Sequence, residues 1–129
     1  MHIAYITHEY PPDTGKGGIA TYTTLMAGIM KDIGYEVEVF CASFDRELSE
    51  YWNGILTHRI RISEIKDFRQ SVLSTFSSRH TERPFDLMEC PELGGEAEYI
   101  KQKYPDLPLV VRLHTPAVLV TRLQNSYLP

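Results

Sequence analysis

The sequence predicts an α/β fold, a Rossmann-like parallel sheet of about five strands flanked by helices. Three observations predict it. Short apolar runs alternate with segments whose apolar residues recur every three or four positions. No internal repeat or low-complexity linker interrupts that alternation. A glycine-rich stretch, "THEYPPDTGKGGIATY" (7–22), lies between the first apolar run and the first helical pattern, where a βα turn belongs. The 129 residues match one ordinary domain, and 43% apolar content suffices for a core.

HIAYIT (2–7) reads as the first strand. Ile19, Tyr22, Leu25, Met26, Ile29, Met30 and Ile33 then fall at steps of three and four, predicting a helix over 18–33 with that apolar face inward. Gly34 follows as its C′ stop. EVEVFCA (36–42) is the second strand and completes a βαβ unit. In GILTHRIRI (54–62), Arg59 and Arg61 alternate with Ile60 and Ile62, the pattern of an edge strand with one wet face. From Ser63 to Ser78 the residues Ile65, Phe68, Val72 and Phe76 keep helical spacing. FDLMEC (85–90) is a fourth strand, and GGEAEYIKQKY a short helix with acids first and lysines last, as its dipole favours. PLVVRLHTP supplies a fifth strand, and residues 117–128 begin another helical pattern.

A net charge of −4 argues against a general nucleic-acid binder, which carries a basic face. The stretch Arg59–Arg83 holds six Lys/Arg against three acids and reads as a solvated edge. Cys41 and Cys90 lie in apolar runs without CxxC spacing, as buried thiols of a reducing compartment do. The N-terminus has no leader pattern and no run approaches the ~18 apolar residues of a membrane span, so a cytoplasmic location is expected.

A parallel sheet binds ligands at the carboxyl ends of its strands. Thr7, His8 and Glu9 leave strand one there, Glu89, Cys90 and Glu92 leave strand four, and His114 and Thr115 leave strand five. The helix starting at Gly18 aims unpaired N–H groups and partial positive charge at the same rim, which favours phosphate. Simple turn geometry is the competing reading for Gly15, Gly17 and Gly18, and complementing the next helix dipole that for Glu89 and Glu92. His8 and His114, more than a hundred residues apart in sequence, are expected on one rim.

Gly15-Lys16-Gly17-Gly18-Ile19-Ala20 fits a relaxed G-x-G-x-x-A dinucleotide fingerprint. The context is wrong for it: HEYPPDT intervenes after the strand, and Cys41-Ala42-Ser43 stand where a ribose-binding acid belongs. A Walker A loop, a HExxH site and a G-x-S-x-G elbow are absent.

"YITHEYPPDTGKGGIATYTTLMAGIMKDIGYEVEVF" resembles the start of the retaining glycosyltransferases of family 4, which run strand, E-[YF]-P-P, glycine pair, then a helix ending in G-x-x-V-x-V. "FDLMECPELGGEA" and "PLVVRLHTP" resemble later strands of the same domain, whereas residues 44–84 carry little of the likeness. The resemblance implies a GT-B architecture, two Rossmann-like domains across a cleft, with this chain the acceptor-side N-terminal one. It implies that Gly17 and Gly18 lie against the diphosphate of a nucleotide-sugar donor and that His114 touches the donor sugar near the reacting carbon. Lys16 before the pair departs from the family pattern and is either a further phosphate contact or a solvated side chain.

His8, Glu9, Glu89 and Glu92 are rim candidates by position, suited to acceptor or loop roles rather than to a nucleophile. The resemblance also implies that no metal is needed and that the departing phosphate helps deprotonate a sugar or glycolipid acceptor. Such an acceptor leaves room for peripheral membrane contact. Because the family's two-glutamate donor motif does not follow, a missing C-terminal GT-B domain and an inactive isolated chain are expected. The alternatives are a non-catalytic phosphate- or partner-binding α/β module and, less favoured, a nicotinamide oxidoreductase domain.

Overall fold

The structure is a computed structural model that describes residues 1–15, 17–114 and 117–126. Its single sheet has the strand order β3-β4-β2-β1-β5-β6. The strands are β1 (His2–Thr7), β2 (Glu36–Ser43), β3 (Leu48–Trp52), β4 (Ile55–Arg61), β5 (Leu87–Pro91) and β6 (Leu109–Arg112). All neighbours pair in parallel except β3 with β4. β1 lies at the centre between β2 and β5, and each of its six residues is buried. A strand covered on both faces needs such an unbroken apolar run.

Helix α1 (Gly18–Ile33) has the predicted bounds and ends on Gly34, whose φ of 110° is left-handed and whose N–H returns to the Lys31 carbonyl at 2.9 Å. It packs on the face carrying Ile3, Tyr5, Val37, Val39, Cys41 and Ile55. The inward residues of α1 differ from the expected face: Ala20, Thr23 and Ala27 are buried, while Leu25, Ile29 and Ile33 are exposed. Small side chains let the helix sit close to the sheet, Met26 and Met30 pack beside them, and Leu25, Ile29 and Ile33 are turned outward.

The opposite face of the sheet, with Ala4, Ile6, Phe40, Ala42 and Ile60, is covered by α2 (Phe68–Glu82) and α3 (Glu98–Lys103). A 3₁₀ turn at Ile65–Asp67 leads into α2, so Ile65 lies outside the helix and is exposed, while Phe68, Val72 and Phe76 are buried. Gly94 and Gly95 have positive φ and precede α3 rather than opening it. Residues Ala117–Ser126 form α4 after β6.

The sheet has one strand more than predicted, and this overturns the edge assignment of 54–62. β4 is internal, because β3 folds back on it through Asn53-Gly54, both at positive φ (49° and 74°). Arg59, expected on a wet face, is 1% exposed and its guanidinium donates to Glu50 Oε1 at 2.7 Å and to the Pro11 carbonyl at 3.0 Å. The Arg59–Arg83 stretch is therefore not one solvated edge: Arg79 also reaches inward, to the buried Glu38. Cys41 and Cys90 are buried free thiols, as expected. No helix among the described residues is long and apolar enough to cross a membrane.

Candidate functional site

The β1–α1 loop is fastened by one hydroxyl. Thr14 Oγ1 donates to the His8 carbonyl at 2.5 Å and accepts the Tyr10 N–H at 3.1 Å, holding the fully buried Tyr10 beneath the loop. The Pro11–Pro12 peptide bond in this loop is cis. Asp13 faces the end of β2, where it accepts from Ser43 Oγ at 2.6 Å and from Arg46 Nη2 at 2.6 Å. Those bonds, that of Arg46 foremost, keep its carboxyl below the usual range. The place where a dinucleotide's ribose partner would stand is thus occupied by a closed polar network.

Loop closure brings His8 and Glu9 against two different surfaces. His8 is 7% exposed, and Glu96, 2% exposed, reaches it from the β5–α3 connection. Glu96 Oε1 accepts the His8 N–H at 2.9 Å and pairs with His8 Nδ1 as well. Glu9 lies between His8 and the start of α1, with its Oε1 3.7 Å from His8 Nε2. A Cβ on Gly17 would stand 3.5 Å from Glu9 Oε2, and one on Gly15 only 2.6 Å from Glu9 Cβ, so glycine is required at Gly15 for the loop to close.

Gly17 is the N-cap of α1 in extended conformation and supplies no side-chain cap. Gly17 and Gly18 are exposed, and a Cβ on Gly18 would meet nothing within 4 Å. Among the described residues no side chain caps the start of this sixteen-residue helix, and the Glu9 carboxylate is the group nearest Gly17. Lys16 lies outside the described residues, as does Thr115.

One turn further along α1, Tyr22 joins the ends of β5 and β6. Its hydroxyl donates to Glu89 Oε1 at 2.6 Å, the Arg112 guanidinium stacks 5.1 Å over its ring, and His114 meets the ring edge-on at 4.8 Å. Arg112 Nε lies 3.5 Å from the same Glu89 oxygen. Burial, then the hydrogen bond to Glu89, pushes the Tyr22 phenol up to about 12, so it stays a donor at neutral pH. Thr7, Tyr22, Glu89, Arg112 and His114 together line a narrow recess beside the helix start. Glu92 stands apart from these groups in its backbone role: its N–H donates to the Arg112 carbonyl at 3.0 Å, tying the ends of β5 and β6 together.

The rim thus has two parts joined by α1, with His8 and Glu9 on one side and Glu89 and His114 on the other. Tyr22, Glu96 and Arg112 were missed from sequence. The apolar spacing of Tyr22 reads as core, and Glu96 reads as one of the acids complementing a helix dipole. The glycine pair immediately before Glu96 was the available signal, since Gly94 and Gly95 bend the chain at positive φ and lead into that buried carboxylate.

No protein-family model matches the sequence, and no curated protein matches it. Solved structures do. Sucrose-phosphate synthase from Thermosynechococcus elongatus superposes with a TM-score of 0.71 at 14% identity over 95% of this chain and 35% of its own. The catalytic domain of starch synthase IV from Arabidopsis thaliana bound to ADP and acarbose gives 0.61 at 14% identity, over 85% of this chain and 32% of its own. A second structure of the Thermosynechococcus elongatus synthase gives 0.58 at 16% identity, over 96% and 68%. The chain spans about a third of the length of the first two proteins. What it shares with them is a fold, a Rossmann-like α/β lobe.

Proposed function

We propose that this chain is the acceptor-side lobe of a GT-B glycosyltransferase that moves a sugar from a nucleotide-sugar donor to a hydroxyl acceptor with retention, as its family 4 resemblance implies. The observation that carries the reading is the α1 N-terminus at Gly17–Gly18, without a side-chain cap at the carboxyl rim of a sheet with this fold. That the starch synthase was solved with ADP bound supports a nucleotide diphosphate as the ligand class.

Transfer develops positive charge on the anomeric carbon and negative charge on the departing phosphate. Fixed N–H dipoles at Gly17–Gly18 stabilise that phosphate without reorganising. Lys16 adds a point charge in this reading. His114, held edge-on by Tyr22, contacts the donor sugar. Glu89, gripped by Tyr22 and Arg112, keeps this side of the rim in place, and His8 and Glu9 face the acceptor. The nucleotide sugar is held mainly by a second lobe, no metal takes part, and the enzyme works in the cytoplasm or at its membrane surface.

Calorimetric titration of the 129-residue chain with common nucleotide sugars is expected to give little heat, because half of the binding cleft belongs to the other lobe. Micromolar binding by the chain alone would overturn the two-lobe reading in favour of a self-sufficient binding module.

A further inference from the structure

The arginines along the rim are not equally engaged. Arg46 gives two bonds to Asp13, at 2.9 and 2.6 Å, and one to Glu50 at 3.0 Å. Arg59 is buried between Glu50 and the Pro11 carbonyl. Among the described residues Arg112 donates only from Nε to Glu89 Oε1, at 3.5 Å, the outer limit of a hydrogen bond. Its Nη groups have no hydrogen-bond partner there, and its side chain is 45% exposed. The Tyr22 ring, 5.1 Å from Cζ, steadies the guanidinium beside the recess that both residues line. That recess holds about 10 Å³ of free space, room for one small group and not for a sugar ring. A ligand therefore meets Arg112 at the mouth.

Glu89 has two partners of unequal strength on one oxygen. The Tyr22 hydroxyl donates to Oε1 at 2.6 Å, and Arg112 approaches the same atom at 3.5 Å. With 11% of its side chain exposed, Glu89 needs a donor whatever Arg112 does. Tyr22 supplies one, so the guanidinium is free to leave without stranding the carboxylate.

We propose that Arg112 binds the donor diphosphate, resting on Glu89 in the empty lobe and exchanging that carboxylate for a phosphate, with Tyr22 the positioning residue that keeps Glu89 bonded during the exchange. The proposal rests on the glycosyl-transfer reading above. A guanidinium with both Nη groups open forms the forked pair of bonds that phosphate oxygens favour. The start of α1 also calls for such a cation. Glu9 Oε2 would stand 3.5 Å from a Cβ at Gly17, so a diphosphate there meets a like charge that helix N–H groups alone must offset. Glu89 competes with the ligand for Arg112, and removing its charge strengthens anion binding. A guanidinium that serves only to neutralise Glu89 gives no such gain.

The test titrates inorganic pyrophosphate into the 129-residue chain at constant ionic strength, with proton–nitrogen spectra following Arg112 Nε–H and the Gly17 and Gly18 amides. The Arg112 signal is expected to move saturably. Arg112→Gln and Arg112→Lys should each raise Kd about fivefold or more, because lysine keeps the charge and loses the fork. Glu89→Gln should lower Kd about twofold or more. Thermal melts show which variants are folded, and if Arg112→Gln is not, Arg112→Lys and Glu89→Gln decide. Glycine amides that saturate with an unchanged Kd in folded Arg112→Gln overturn the role of Arg112 and leave the phosphate site of the transfer reading standing. Full rescue by Arg112→Lys, or binding by Glu89→Gln no tighter than wild type, makes Arg112 a counter-charge and overturns the exchange. A rim on which no signal moves saturably overturns the phosphate site and the proposal together.

Discussion

His114 is exposed and meets Tyr22 only by a ring edge, so truncating it removes little packing. If the proposed transferase reading holds and His114 touches the donor sugar where charge develops, His114→Ala in the proposed two-lobed enzyme lowers kcat on the order of 10²-fold while the melting temperature holds. A destabilised variant with near-normal kcat would instead make His114 a loop anchor. Gly15 is the opposite kind of residue, silent in chemistry and demanding in geometry. At φ +75° a Cβ there would lie 2.6 Å from Glu9 Cβ and 3.0 Å from Glu9 Cα, and backbone cannot swing aside. Left-handed strain plus overpacking predicts that Gly15→Ala loses about 2–4 kcal/mol in urea unfolding. A loss below the error of the measurement would show that the loop closes without this glycine.

At the scale of elements, the β3–β4 hairpin explains how a buried arginine sits inside a parallel sheet. β3 supplies Glu50 to Arg59 and Ser49 to His58, whose Nδ1 lies 2.7 Å from Ser49 Oγ, so the antiparallel edge strand gives partners to the Arg59 guanidinium and to His58 Nδ1. Its two-residue turn needs positive φ at both positions, as Asn-Gly provides. Gly54→Ala is expected to cost about 1 kcal/mol from backbone strain alone, because the only atom in the way is the mobile Lys31 Nζ. Chemical denaturation of the variant beside wild type checks it, and equal midpoints would mean that the turn is not under strain. Asn53-Gly54 is a hairpin signal legible in the sequence, whereas the Arg/Ile alternation in 54–62 is equally the pattern of an edge strand.

Across the whole molecule the most consequential titration is that of Glu38, 4% exposed in the middle of β2. Burial would raise its carboxyl, but the contacts of His58 and Arg79 more than offset this and bring it down to about 2. The folded value lies below the ordinary 4.5, so the stabilisation is fully present above 4.5 and is lost as pH falls towards 2. Thermal melts should therefore drop steeply over that window in wild type. Glu38→Gln should be less stable at neutral pH and show a shallower drop. Parallel curves would remove Glu38 from the acid transition.

The parallel α/β class, the bounds and C-terminal stop of α1, the buried thiols and the glycine-rich rim are all legible in the residue order alone, because strand burial, helical spacing and glycine conformation are local and periodic. Residue order could not determine which face of α1 is buried, since Ala20, Thr23 and Ala27 win by allowing close approach, a property of the sheet beneath them. Nor could it join Glu96 to His8 or Tyr22 to Glu89. Each pair spans a distance in sequence that only the strand order closes, and a charged side chain can enter a core only where its partner already stands.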